Sequence, residues 1–341
     1  MAVQDIAFVE LYTRDKLAMA EYFESAMGFT RVADSVEVDR SSVLLRQGTT
    51  QVVVTSGPGT WRFLEDHGEG IADIALTCDD VAASRDSAIA AGAKPVGSLR
   101  QGPAVTAFGD VTHTLLPQTA EHPGTVLPAG RRWTPSPGTS AGAERLIQAL
   151  DHIAVCLEGG TLAAHADFYE EAFGFSRLSA EYVAVGGQAM DSIVVRSASD
   201  RVTFTLVAPD PDKEPGQLDG FLTRNAGPGV QHIAFLVEEI IPAVHEFRGR
   251  GVEFLSTPDG YYDLLAQRFA GLRMEIEQLR EAQVLADRDE WGHLLQLFSR
   301  SPFERNTLFF ELIQRNGSRG FGSANIRALY EAVERDRLAA R

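Results

Sequence analysis

A chain of 341 residues is longer than one hydrophobic core usually organises, so we expect two domains. Its formal net charge of −16 argues against nucleic acid or an anionic membrane as a partner, because both would repel it. Two cysteines provide no disulfide framework, no signal segment is evident, and no apolar run approaches the roughly 20 residues of a membrane span. We therefore expect a soluble cytoplasmic protein.

The first predicted strand and helix recur later in the chain. Residues Asp5–Glu10 and Tyr22–Phe29 match Asp151–Cys156 and Phe168–Phe175, and both pairs are separated by 146 positions. Farther on, Gly68–Ala75 matches Gly227–Ala234, at a separation of 159. Two matches in the same order indicate an internal duplication.

Each copy has the pattern of a strand, a helix and several further strands. In the second copy, alternation and helical spacing predict a helix over 162–173, ended by Gly174, and another over about 240–250. The predicted strands there are 151–157, 182–185, 192–197, 202–207, 230–237, 294–298 and 307–313.

Between the copies lies a segment rich in Pro, Gly, Ser and Thr, from Pro117 to about Glu144. That composition is typical of a connector. We therefore predict an N-terminal module over residues 1–120, a linker over 121–148 and a larger C-terminal module over 149–341.

The two copies differ at positions that matter for metal binding. In the sequence match, Ile6 corresponds to His152 and Asp73 to His232. Small neighbours such as Ala154 and Ala234 would leave space beside the histidines. The third candidate is Glu311, because a carboxylate inside an apolar strand is costly unless it is paired or coordinated.

Two imidazoles and one carboxylate form the ligand set of non-haem iron(II) oxygenases. The alternative is purely structural: a histidine in a strand is often only hydrogen-bonded, and Glu311 could pair with Arg315. We expect the other histidines at the surface, in loops or in turns, and these are His67, His113, His122, His165, His245 and His293.

Along almost its whole length, and most densely from Asp151 onward, the sequence resembles the 4-hydroxyphenylpyruvate dioxygenase family. The resemblance rests on Gly227–Ala234, Gly251–Leu255, Tyr261–Asp263, Leu285–Asp289, Leu294–Phe298, Phe309–Glu311 and Gly320–Asn325. It implies an α+β fold of two vicinal-oxygen-chelate (glyoxalase/dioxygenase-like) modules, in which repeated βαβββ units form open half-barrels with outer helices. The N-terminal module would have no metal site.

The resemblance further implies that His152, His232 and Glu311 bind Fe(II), and that the substrates are 4-hydroxyphenylpyruvate and O2. The substrate's own 2-oxo acid would supply the electrons. The positions that match the family's substrate pocket are Ser192, Thr205, Val207, Gln217, Gln231, Gln296, Phe298, Asn325, Ile326 and Tyr330. Of these, Gln231 is the weakest, because a regular strand would turn it away from the face of His232.

Departures from the family pattern indicate one branch. Where ordinary members carry Pro-Ile-Asn in a pocket strand, this chain has Thr205–Val207, and a phenylalanine after Asn325 is replaced by Ile326. These changes are similar to those of the branch of the family that forms 4-hydroxymandelate. That branch serves the biosynthesis of 4-hydroxyphenylglycine, a component of peptide antibiotics. The spacing of Ile326–Val333 predicts an amphipathic helix, and the resemblance implies that this helix forms a lid over the iron.

Two other functions stay open. The chain could form homogentisate in tyrosine breakdown, as ordinary members of the family do, or duplicated modules of this type could sequester a ligand without catalysis. The sequence also leaves open whether copies of the chain form a homo-oligomer.

Overall fold

The computed structural model of the protein describes residues 3–97, 102–119, 126–136, 145–268, 273–322 and 325. The predicted pocket residues Ile326 and Tyr330, and the predicted lid helix, lie outside these ranges. Among the described residues, seventeen strands form two sheets, one in each module.

The first sheet has the strand order β6-β7-β8-β5-β1-β4-β3-β2-β9. Its short last strand, β9, lies in the segment predicted as a linker and pairs with β2. The elements are β1 (Val3–Tyr12), α1 (Lys16–Ser25), β2 (Thr30–Val36), β3 (Ser41–Gln47), β4 (Thr50–Ser56), α2 (Trp61–His67), β5 (Gly70–Cys78), α3 (Val81–Ala90), β6 (Pro95–Val96), β7 (Ala104–Phe108), β8 (Val111–Pro117) and β9 (Thr134–Pro135).

The second sheet has the strand order β11-β12-β13-β10-β14-β17-β16-β15. Its elements are β10 (Ile147–Cys156), α4 (Leu162–Phe173), β11 (Ser176–Val185), β12 (Gln188–Arg196), β13 (Thr203–Pro209), α5 (Gln217–Asn225), β14 (Gly229–Val237), α6 (Ile240–Gly249), α7 (Asp259–Arg268), α8 (Arg273–Ala282), β15 (Leu285–Arg288), β16 (His293–Phe298) and β17 (Phe309–Asn316).

Both sheets repeat one βαβββ unit twice. In the second module, β10 pairs in parallel with β13, β14 pairs in parallel with β17, and the two units meet where β10 and β14 run antiparallel. The first module has the same pairings among β1, β4, β5 and β8. The predicted α+β fold of two duplicated modules is confirmed.

Strand register changes one detail of the duplication. His152 lies opposite Ala234 in the second module, and Phe8 lies opposite Ala75 in the first. Because Ala75 and Ala234 are equivalent, Phe8 takes the structural position of His152, and the sequence-based match with Ile6 is wrong. The loop from β10 to α4 is two residues longer than the loop from β1 to α1, so the separation is 144 in the strands and 146 in the helices.

The sequence did not predict α5, because this short helix contains Gly220 and glycine weakens the helical pattern.

His113 was expected in a turn, but it lies within β8 and is fully buried. Its Nδ1 lies 3.0 Å from the carbonyl oxygen of Ile74, and its Nε2 lies 2.9 Å from the hydroxyl of Tyr169 in α4. His113 therefore joins the two modules, and burial lowers its pKa to about 4. His67, expected near the surface, is also buried.

Candidate metal centre

Three neighbouring strands carry the predicted ligands to one place. His152 on β10 lies opposite Ala234 on β14, and Ala234 lies opposite Glu311 on β17. His232 lies two residues before Ala234, on the same face of its strand. Because the alanine side chain is small, the three longer side chains can meet above it.

The structure brings the three ligand groups together and buries them. Both imidazole Nε2 atoms approach the same carboxylate oxygen, Oε2 of Glu311, at 3.3 Å from His152 and 3.2 Å from His232. All three donor atoms lie within 4.8 Å of one another. The residues are 3%, 8% and 1% exposed for His152, His232 and Glu311. Within the described residues, no second cluster of three His, Cys, Asp or Glu is this tight.

Each histidine is preceded by the extra residue of a β-bulge. The register between β10 and β14 skips Asp151 on one strand and Gln231 on the other. A bulge breaks the alternation of side chains, so both residues turn toward their histidine. The Oδ1 of Asp151 lies 2.8 Å from Nδ1 of His152, and the Oε1 of Gln231 lies 3.1 Å from Nδ1 of His232. The expectation that Gln231 faces away from His232 is therefore wrong.

These contacts orient the histidines. An oxygen acceptor at Nδ1 places the proton there and leaves Nε2 free to coordinate a metal ion. Asp151 is itself held by two hydrogen bonds from Arg315, at 2.6 and 2.8 Å. Arg315 also donates to the carbonyl of Gly320 and lies over the ring of Phe321, which packs edge-on against His152.

The charges of the site are strongly coupled. Burial opposes ionisation of Glu311, but the two imidazoles outweigh it and hold the pKa of Glu311 at about 2. Burial likewise disfavours a charged His152, yet the carboxylates of Glu311 and Asp151 raise its pKa to about 9. Burial lowers the pKa of His232. An ionised buried carboxylate facing two imidazoles is a donor set that fits a divalent transition metal, which would take the place of a proton.

The ligands open into a cavity of about 470 Å³, a volume that suits a small organic ligand. Apolar side chains line much of it, among them Met190, Val194, Leu218, Phe221 and Leu255. Phe309 stacks on His232 with 5.0 Å between ring centroids, and Phe298 approaches the same imidazole edge-on at 5.9 Å. The candidate metal centre therefore lies in a largely apolar pocket.

Most of the predicted pocket residues face this cavity. Those that line it are Ser192, Thr205, Val207, Gln217, Gln231, Gln296 and Phe298. Asn325 is buried and donates from Nδ2 to Oε1 of Gln296 at 3.0 Å, so it lies behind a cavity residue. The sequence analysis missed Asp151 and Arg315; the Asp-His pair at 151–152 was the available signal.

Comparisons with known proteins agree with this geometry. Residues 1–119 match the family described as hydroxyphenylpyruvate dioxygenase, N-terminal, and residues 149–297 match the glyoxalase/bleomycin resistance protein/dioxygenase superfamily. A 4-hydroxyphenylpyruvate dioxygenase of Neurospora crassa is 34% identical over 80% of this chain and 71% of its own length. The chain belongs to the 4-hydroxyphenylpyruvate dioxygenase family.

Other relatives cover nearly the entire chain. A 4-hydroxyphenylpyruvate dioxygenase of Coccidioides posadasii is 30% identical over 96% of this chain and 92% of its own. A triple mutant of 4-hydroxymandelate synthase from Streptomyces coelicolor is 47% identical, with a TM-score of 0.90 over 99% of this chain and all of that one. Among the described helices, none is long and apolar enough to cross a membrane.

Proposed function

We propose that this member of the family is an Fe(II)-dependent oxygenase that converts 4-hydroxyphenylpyruvate and O2 into 4-hydroxymandelate and CO2. The observation that carries the proposal is the convergence of His152, His232 and Glu311 at one end of an apolar cavity. The 47% identity to 4-hydroxymandelate synthase supports this branch over the more distant dioxygenases.

The three ligands would hold Fe(II) by one face, which leaves positions open for other donors. When bound, the iron supplies a site that chelates the 2-oxo acid and activates dioxygen. The substrate loses its carboxyl group as CO2, one oxygen atom of O2 enters the new carboxylate, and the other enters the benzylic C–H bond. The four electrons that reduce O2 come from the keto acid and that C–H bond.

The chain's own residues would orient the substrate and exclude water. Phe298 and Phe309 form an apolar wall beside His232, where a phenol ring can pack. Keeping the site dry protects a reactive intermediate from side reactions. Ser192 also lines the cavity; its hydroxyl donates to the carbonyl oxygen of Glu181 at 3.3 Å, and its oxygen can accept a hydrogen bond from a polar group of the substrate.

The choice between benzylic carbon and aromatic ring depends on which carbon is held near the oxidant. Strand β13 presents Thr205 and Val207 to the cavity, whereas Leu206 between them is buried in the core. We propose that Val207, which replaces an amide of ordinary family members, removes a polar anchor and lets the ring tilt away. Ile326, which replaces a phenylalanine of ordinary family members, lies outside the described residues, and its part in this choice stays a prediction.

The test is to load the metal-free protein anaerobically with Fe(II), then add 4-hydroxyphenylpyruvate and O2, and identify the product by chromatography. We expect 4-hydroxymandelate, with one O2 consumed per CO2 released. Homogentisate as the main product would instead establish the ordinary dioxygenase reaction. Substrate binding without oxygen uptake would favour a ligand-sequestering protein and overturn the enzymatic proposal.

Residue exchange tests the proposed role of β13. The double variant Thr205→Pro/Val207→Asn restores the usual residues on the cavity face and should divert part of the product to homogentisate or another ring-oxidised compound. Leu206→Ile also restores a usual residue, but on the core face, so it should leave the product ratio unchanged. A product ratio that is unchanged in the double variant would contradict a role for β13 in product choice.

A further inference from the structure

A line of hydrogen bonds, buried except at its outer end, leads from the candidate metal ligand Glu311 to helix α7. The carboxylate oxygen Oε1 of Glu311 accepts a hydrogen bond from Nε2 of Gln296 at 2.8 Å. The Oε1 of Gln296 accepts from Nδ2 of Asn325 at 3.0 Å, and the Oδ1 of Asn325 accepts from the hydroxyl of Tyr261 at 2.7 Å. Glu311, Gln296 and Asn325 are each at most 3% exposed.

The chemistry of the first group fixes the direction of this line. An ionised carboxylate can only accept, so Gln296 must turn its NH2 group toward Glu311 and its carbonyl oxygen toward Asn325. Asn325 must then donate to Gln296, and its own carbonyl oxygen needs a donor on the far side. That donor is Tyr261. A reversal of either amide would place two oxygens or two NH2 groups face to face inside the protein.

The hydroxyl of Tyr261 is itself fixed in position by a hydrogen bond from the backbone. The backbone N–H of Ala286 donates to its oxygen at 2.9 Å, which leaves the single hydroxyl proton for an acceptor. Of its two acceptors, Oδ1 of Asn325 is nearer, at 2.7 Å, than the carbonyl oxygen of Ala286, at 2.9 Å. Strand β15 thus anchors the outer end of the line.

We propose that Tyr261 is a positioning residue for the metal centre. It acts through Asn325 and Gln296 to hold the carboxylate of Glu311 in place. With Oε1 held by Gln296, the other oxygen, Oε2, faces the Nε2 atoms of both histidines. Tyr261 contributes no metal ligand. The inference rests on the proposed function, since it assumes that Glu311 binds the metal.

The test compares variants of the full chain by calorimetric titration of the metal-free protein with Fe(II) under anaerobic conditions. Removal of an outer-shell partner typically weakens metal binding by about 10- to 100-fold. We expect Tyr261→Phe to lie near the lower limit, because it acts through two amides. Asn325→Asp should lie near the upper limit, because an acceptor then faces Oε1 of Gln296. Tyr262→Phe removes the hydroxyl of the next tyrosine in α7, which is fully buried, and should leave the affinity unchanged.

A double variant and a spectrum separate positioning from general loss of packing. If Tyr261 acts only through Asn325, Tyr261→Phe/Asn325→Asp should bind Fe(II) no more weakly than Asn325→Asp alone. The visible absorption of Co(II)-loaded protein should change in Tyr261→Phe and not in Tyr262→Phe, since it reports the ligand geometry. Equal affinity and spectra for Tyr261→Phe and the unchanged protein would overturn the inference. Failure of the unchanged protein to bind either metal would overturn the proposed function instead.

Discussion

The two modules share one topology but carry different residues at the positions of the candidate metal site. In the second module the structural positions of the site hold His152, His232 and Glu311 beside an open cavity. Register places Phe8, Asp73 and Thr114 at the same positions in the first module. Two of the three potential ligands are thereby absent from the first module.

The carboxylate that stays at these positions in the first module, Asp73, accepts hydrogen bonds from its own module. Oδ1 of Asp73 accepts from the hydroxyl of Thr112 at 2.6 Å and from the backbone N–H of Thr114 at 3.1 Å. A second buried carboxylate, Glu10, is paired with Arg131 from the connecting segment, and the Arg131 guanidinium also lies over the ring of Phe8. A side-chain cation thus occupies the interior of one module where we propose a metal ion in the other.

The comparison teaches that the fold alone does not make the site. Both interiors bury carboxylates, which need a cation or hydrogen-bond donors. The first module meets this need with Arg131, Thr112 and Thr114. In the second module, outer-sphere groups hold the histidines through Nδ1, which leaves three ligand atoms directed at a common point.

The largest effect should follow from removing the ligand charge in the second module. Glu311→Gln should abolish detectable product. It should also weaken Fe(II) binding by more than about 100-fold, which is the upper limit for loss of a residue that only contacts a ligand, because here a ligand itself is changed. Calorimetry and product chromatography measure both. The matched acid-to-amide change in the first module, Asp73→Asn, should leave Fe(II) affinity unaltered. Equal loss in the two variants would mean that the modules do not differ as proposed.

Next in size is the removal of the internal cation of the first module. Arg131→Met would remove the guanidinium that pairs with the fully buried carboxylate of Glu10. Breaking a buried pair in this way costs about 3–5 kcal/mol of unfolding free energy, which urea denaturation can measure.

The control for that change removes both charges. Glu10→Gln/Arg131→Met should recover much of the stability, since no uncompensated charge remains. Both variants should keep the Fe(II) affinity of the unchanged protein. Stability that is unaffected by Arg131→Met would show that the ion pair does not support the first module.

Much of the fold followed from the sequence because the duplicated hydrophobic pattern repeats the βαβββ unit, and the ligand strands could be located around His152, His232 and Glu311. Register could not be predicted, because bulges at Asp151 and Gln231 depend on pairing with a distant strand and leave no local signal. For the same reason, the sequence matched His152 with Ile6 instead of Phe8.

Contacts with distant parts of the chain also determine the positions of the residues that the sequence predicted wrongly or missed. His113 follows a glycine-containing turn and precedes two leucines, which is compatible with a turn, but its ring is enclosed by Tyr169, Phe173 and Phe204 of the other module. The partners of Asp151 and Tyr261 are 164 and 64 positions away. No periodicity over a short window can reveal such pairs.

A smaller effect should follow from a change just outside the ligands. Asp151→Asn keeps the shape of the side chain but removes the charge that pairs with Arg315 and holds His152, so Fe(II) affinity should fall by about 10- to 100-fold. Anaerobic calorimetry measures the change. Asp5 in the first module matches Asp151 in sequence although not in register, and it pairs with the more exposed Arg201 at 3.4 Å. Asp5→Asn should therefore bind Fe(II) normally, and a similar loss there would contradict a specific role for Asp151.

The smallest effect concerns the junction of the modules and depends on pH. An unfolded chain protonates His113 near its ordinary pKa of 6.5, whereas the folded protein does so only near 4. Between these values the unfolded state binds more protons, so stability falls as the pH is lowered through this window. At pH 5 the loss from this residue is about 2 kcal/mol relative to pH 7. His113→Asn, which does not titrate, should be less stable at pH 7 but lose less stability on acidification, and urea denaturation at pH 7 and pH 5 measures both. If both proteins lose equal stability between these pH values, burial of His113 does not make the junction sensitive to acid, and the contact between the modules at Tyr169 is insensitive to protonation.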